Sequence, residues 1–125
     1  MAASIIAPSS ASAAVPFFDL NARYAVAEGA KPRDLISDAY CLGDCAAAVL
    51  EGVCERLPVP KLLGVLFIVR QANEEEQLRD SLGLLRTAIN VLDEAAGDID
   101  DRALWGALYL LQQALAAKHM AYRLN

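Results

Sequence analysis

Cysteine is the residue type here best suited to chemistry, and Cys41 and Cys45 stand four apart, with Cys54 nine further on. On a helix the first two share a face and could grip one ion together, whereas Cys54 falls more than two turns away. A structural zinc site takes four ligands, and the chain holds one histidine, His119, far along the sequence. Metal binding is therefore not expected. Asp44 and Glu51 disfavour a thiolate nearby, so the cysteines read first as small core residues beside Gly43, Ala46, Ala48 and Gly52. A regulatory thiol is the alternative reading. His119 has no Ser or Cys set beside it by a nucleophile motif and reads as a cation near a helix C-terminus.

Glu74, Glu75 and Glu76 could in principle ligate a hard cation or act as paired carboxylates. Consecutive helix residues point about 100° apart and do not converge, so the run reads as the acidic opening of a helix. No Gly-rich loop precedes a helix, and the phosphate-binding fingerprints are absent. Trp105 and Tyr109, one turn apart, could line a small-molecule pocket together with the Cys41/Cys45 face; plain packing is the competing reading. No catalytic residue, metal ligand or cofactor is predicted, and enzymatic activity is not expected.

The elements that would position these residues are helical. Pro32 suits a first helical position and Asp34 places a carboxylate in the positive first turn. Leu35, Ala39, Leu42, Ala46, Val49, Val53 and Leu57 then keep helical spacing until Pro58 and Pro60 stop it. Pro60 opens a second segment in which Leu62, Val65, Leu66 and Val69 share a face while Phe67 and Ile68 widen it. A buried strand competes, because Val, Ile and Phe favour sheets, but no second strand-like run is available to pair with it. Asn73 and Glu76 resemble a capping pair, so a third helix, or a bend in one long helix, begins there; it carries Leu78, Leu82, Leu85, Ile89 and Leu92 in 4-3-4-3 spacing and ends at Gly97. Asp98, Asp100 and Asp101 cap a fourth, roughly Asp101 to Arg123, with Lys118, His119 and Arg123 near its negative end. Leu104, Leu108, Leu111 and Leu115 form one stripe of this helix, but Trp105, Ala107, Leu110 and Ala114 make it apolar nearly all round.

Short links between four helices make an antiparallel bundle the economical arrangement, so the predicted fold is all-α, one helical domain over 17–125. Residues 1–16 form an Ala/Ser-rich leader expected to be disordered, without the basic stretch of a signal peptide. Phe17, Phe18, Leu20, Tyr24 and Val26 follow as a short apolar arm, extended or one brief helix.

The stretch from Tyr24 to Gly29, followed by Pro32, Asp34, Leu35, Asp38, Ala39, Cys41, Leu42, Cys45 and Ala46, resembles the opening of a group of short uncharacterised proteobacterial proteins. In those an aromatic-x-Val segment and a Gly lead into an Ala/Leu/Cys helix. Leu104 to Leu110 resembles their closing helix, whereas Pro58 to Gly97 departs from the pattern. The resemblance implies a bacterial helical protein and carries over no catalytic residue.

Apolar residues make up 56% of the 125 and mean hydropathy is +0.31. That exceeds what a typical small domain carries, so the surplus must enter a membrane, a partner or an Ala-rich interior. A span needs roughly 18 consecutive apolar residues, and none exists. A net charge of −5, spread over both halves, offers no phosphate-binding footprint, so nucleic acid is not an expected partner. Three cysteines, an odd number, suit a reducing compartment, by default the cytoplasm. The surplus points to protein–protein interaction as an adaptor, regulator or inhibitor, with a homodimer or another protein meeting the Leu78/Leu82/Leu85/Ile89/Leu92 face or the region around Trp105 and Tyr109. The alternative is a bundle with a small-molecule pocket near Trp105.

Overall fold

The computed structural model describes Ile6–Pro8, Val15–Pro16, Tyr24–Val26 and residues 29–124. The fold is all-α, built on helices α1 (Pro32–Arg56), α2 (Pro60–Glu74), α3 (Leu78–Ile99) and α4 (Arg102–Leu124). Pro32 and Pro60 each occupy the first turn of their helix, where a missing N–H is harmless. The Pro60 segment is helix and not strand. The only strands described are β1 (Ile6–Pro8), β2 (Val15–Pro16) and β3 (Tyr24–Val26), antiparallel in the order β1-β3-β2, with Ile6 opposite Val26 and Val15 opposite the same residue. Tyr24 to Val26 of the arm is thus extended, and it lies beside α4. Phe17, Phe18, Leu20 and most of the leader fall outside the described residues.

Each helix packs on two others: α1 on α2 and α4, and α3 on α2 and α4, with the remaining pairs across the diagonals. Asn73 near the end of α2 reaches the Tyr40 carbonyl, Arg56 pairs with Asp101, and Lys61 pairs with Glu94 at 3.7 Å. These contacts fix every neighbour as antiparallel. At about 1.5 Å per residue, α1 is about 15 Å longer than α2, so the broad α1–α4 pairing runs on past the α2–α3 end. The main core joins all four helices around Leu50, Leu62, Leu85, Leu92 and Leu104; a smaller one joins Leu35 and Ala39 to Ala114, Ala117 and Ala121 in the extension. Among the described residues, eleven of the twenty-five buried apolar side chains are alanines. Much of the apolar surplus is therefore spent on small side chains that let helices approach closely.

Two helix ends differ from expectation. Gly97 does not end α3, which runs to Ile99, and Asp100 makes the turn with φ 55°. Asp tolerates the left-handed region because its short side chain bonds locally. Asp101 then caps α4 by accepting the Ala103 N–H at 2.9 Å, while its bidentate pair with Arg56 at 3.1 and 3.4 Å holds the carboxyl below the usual carboxylate range. Asn73 caps nothing. It lies inside α2, and its Nδ2 donates to the Tyr40 carbonyl at 3.2 Å beside buried Gly43, where a Cβ would run into the Asn73 amide.

Candidate functional site

Cys41 and Cys45 do not fill the core, whereas Cys54 packs against its edge. Cys41 and Cys45 are exposed on the outer face of α1, Cys54 is half-buried, and burial pushes the Cys54 thiol up despite nearby Arg70. The reason lies in the phase of α1: Leu35, Ala39, Gly43, Ala46, Leu50 and Val53 face inward, which turns positions 41, 45, 48 and 52 outward. No group of three or more His, Cys, Asp or Glu side chains among the described residues could hold a metal ion. Pairing of Arg56 with Asp101, with Leu35 and Ala39 clustered beside Ala117 and Ala121 at the other end, puts Trp105 level with about residue 51 of α1. Cys45 and Cys41 therefore lie about 9 and 15 Å further along the bundle axis. Trp105 is 44% exposed, Tyr109 is half-buried and engaged, and neither lines a cleft described below.

The leucine stripe of α3 is inside the chain. Leu82, Leu85 and Leu92 are buried in the main core, Ile89 packs on its edge, and Leu78 joins the smaller cluster. Because α2 and α4 both lie against α3, a face wide enough to attract a second subunit is covered by the chain's own helices. That face is not open to a partner, contrary to expectation.

Two other features emerge. The first is a buried polar centre where α2 ends. Lys118 is 4% exposed, and its Nζ donates to the Ala72 carbonyl at 3.1 Å and to Ser81 Oγ at 2.6 Å. Ser81 Oγ in turn donates to the same carbonyl at 2.7 Å. Ala72 is in the last turn of α2, where carbonyls lack helical partners, and α2 has no basic residue there of its own. Lys118 thus serves the negative end of α2 and not that of α4. Burial depresses its ammonium below the ordinary lysine value. The sequence carried a signal for it: Lys118 continues the stripe Leu104, Leu108, Leu111, Leu115, and Ser81 begins the stripe Leu85, Ala88, Leu92. A polar residue in phase with a core stripe must find partners inside.

The second feature is the outer face of α2. Leu63 and Phe67, one turn apart, are 53% and 62% exposed, and between them Gly64 presents bare backbone with open space around it. The same face continues through Gln71 to Glu74, at i+4 and i+7 from Phe67. A cleft lies on each side of its C-terminal half. One, of about 340 Å³, runs between α1 and α2 and is lined by Tyr40, Asp44, Glu51, Arg70, Asn73 and Glu74, with Glu51 and Arg70 ion-paired across it. The other, of about 470 Å³, is lined by Gln71, Glu74, Glu75, Glu76, Gln77 and Leu84. Glu74 ends α2, while Glu75 accepts the Gln77 N–H at 3.1 Å ahead of α3. Periodicity alone did not single out this face, because Phe67 and Ile68 looked like a widening of the core stripe.

No family model matches the chain, and no curated protein or solved structure is significantly similar to it. No helix among the described residues is long and apolar enough to cross a membrane.

Proposed function

We propose that this chain is a non-enzymatic recognition protein, an adaptor, regulator or inhibitor, which docks on a protein partner through the outer face of α2. The observation that carries the reading is the exposure of Phe67 and Leu63 on successive turns of a helix whose other face is wholly committed to the core. Large side chains held in water on a regular, rigid element are the usual anchors of helix-face recognition. The three unpaired thiols suit a reducing bacterial cytoplasm as the setting.

A photo-crosslinking residue in place of Phe67, compared with one in place of Arg86 on the exposed side of α3, tests the reading in the living host. A discrete adduct is expected from position 67 and none from position 86, and its mass separates another protein from a second copy. No adduct from position 67, or the same ladder from both, would refute it.

A further inference from the structure

We infer that the occupant of the α2 face is a cationic amphipathic helix of another protein, one that sets its apolar side on Leu63 and Phe67 and its Lys or Arg side chains into the two flanking clefts. The inference rests on the recognition role proposed for this face and adds the chemistry of the partner.

Two independent observations meet here. The apolar half of the face is Leu63, Gly64 and Phe67, a short ridge with a bare-backbone dip in which a partner side chain can settle. The other half is acidic: the two clefts carry Asp44, Glu51, Glu74, Glu75 and Glu76 against the single Arg70, and they share Glu74 at their common edge. Arg70 is already paired with Glu51, so it offers an acidic partner little. Apolar anchors at one end and carboxylates along both sides at the other suit a helix with leucine-type residues on one face and cations flanking them. A second copy of this chain fits less well, because two-fold pairing of this patch with itself brings like-charged sets into one interface.

The probe is a synthetic Lys/Leu amphipathic helical peptide, measured by fluorescence anisotropy against the full chain with reductant present. Controls are a peptide of the same composition with its leucines scrambled off one face, and a Glu/Leu counterpart. Saturable binding is expected for the Lys/Leu helix. It should weaken about tenfold in Phe67→Ser and about two- to threefold in Glu74→Gln, and it should fall as salt rises. Both positions are exposed, so both variants keep the native circular dichroism and urea midpoint. Equal binding of the scrambled or acidic peptide, or affinity unmoved by Phe67→Ser, would overturn the inference. Light scattering on the same samples separates its failure from that of the underlying reading. A wild-type dimer that Phe67→Ser dissolves, with no peptide bound, keeps helix-face recognition and makes a second copy the occupant. A monomer that binds no peptide, and gives no adduct at position 67, removes both.

Discussion

Adding one methyl group at Gly43 and adding one at Gly52 should move stability in opposite directions, although both glycines lie within α1. A Cβ at Gly52 meets nothing within 4 Å, so Gly52→Ala should gain most of the roughly 0.5–1 kcal/mol by which Ala exceeds Gly in a helix. A Cβ at Gly43 would overlap the Asn73 amide, reaching its Cγ at 3.0 Å and its Oδ1 more closely still. The amide must then rotate. That breaks its bond to the Tyr40 carbonyl, worth roughly 0.5–1.5 kcal/mol net, and forces a poorer rotamer costing roughly 0.5–1.5 kcal/mol more. Because the helix-propensity gain is common to both, Gly43→Ala should be less stable than Gly52→Ala by about 1–3 kcal/mol. Urea unfolding followed by helical circular dichroism, at constant m, measures the difference. Asn73→Ala removes the obstacle, so in that background Gly43→Ala should stabilise as Gly52→Ala does. If the two single variants were equally stable, or if the cycle with Asn73→Ala showed no coupling, the account of the α1–α2 approach would be refuted.

The buried ammonium makes stability depend on alkaline pH. The Lys118 value is depressed in the folded chain, so between that value and the ordinary 10.5 the unfolded chain binds the extra proton; wild-type stability should therefore rise with pH across that window, and Lys118→Met should lack the rise in urea midpoint. Native alkylation read by mass spectrometry should modify Cys41 and Cys45 promptly and Cys54 later, and equal rates at all three would contradict the phase assigned to α1. Leu85→Ala should lose roughly 2–5 kcal/mol in urea unfolding because it opens the main core, whereas Leu63→Ala, on the outer face, should change stability by less than about 1 kcal/mol.

Much of this architecture was legible because prolines act locally. Pro32, Pro58 and Pro60 mark the ends of α1 and the start of α2 wherever the rest of the chain goes, and the spacing of Leu35, Ala39, Ala46 and Val53 gives the inward side of α1. What was not legible depends on neighbours. Gly97 looked like a terminator, but α3 carries its pattern on to Ile99 and turns at Asp100. Cys41 and Cys45 looked like core residues until the phase of α1 against α4 turned them outward, while Cys54 stays against the core. The α3 leucines resembled an interface because one helix cannot reveal that two others flank it, and Phe67 resembled core for the same reason. Lys118 was legible in kind, as a cation serving a helix C-terminus; which helix it serves is a tertiary fact.

The pairing of the first helix with the last bears on how the bundle assembles and comes apart. The α2–α3 hairpin closes through a link of a few residues, but Leu35 joins the cluster with Ala117 and Ala121 only after nearly the whole helical stretch has been looped back. Sequence separation therefore predicts that the α2–α3 hairpin forms before α1 docks on α4, and φ-values higher in α2 and α3 than in α1 would check that order. Opening runs the other way. Where α1 and α4 extend beyond their neighbours, Leu35 is the one large side chain fully buried between them, with Leu42, Leu78 and Met120 only partly buried beside alanines, so separating them there exposes less apolar surface than opening the main core. Backbone amides of the first turns of α1 and the last turns of α4 should therefore exchange with solvent by a partial opening that leaves the four-helix core closed, which native-state hydrogen exchange at low denaturant would check.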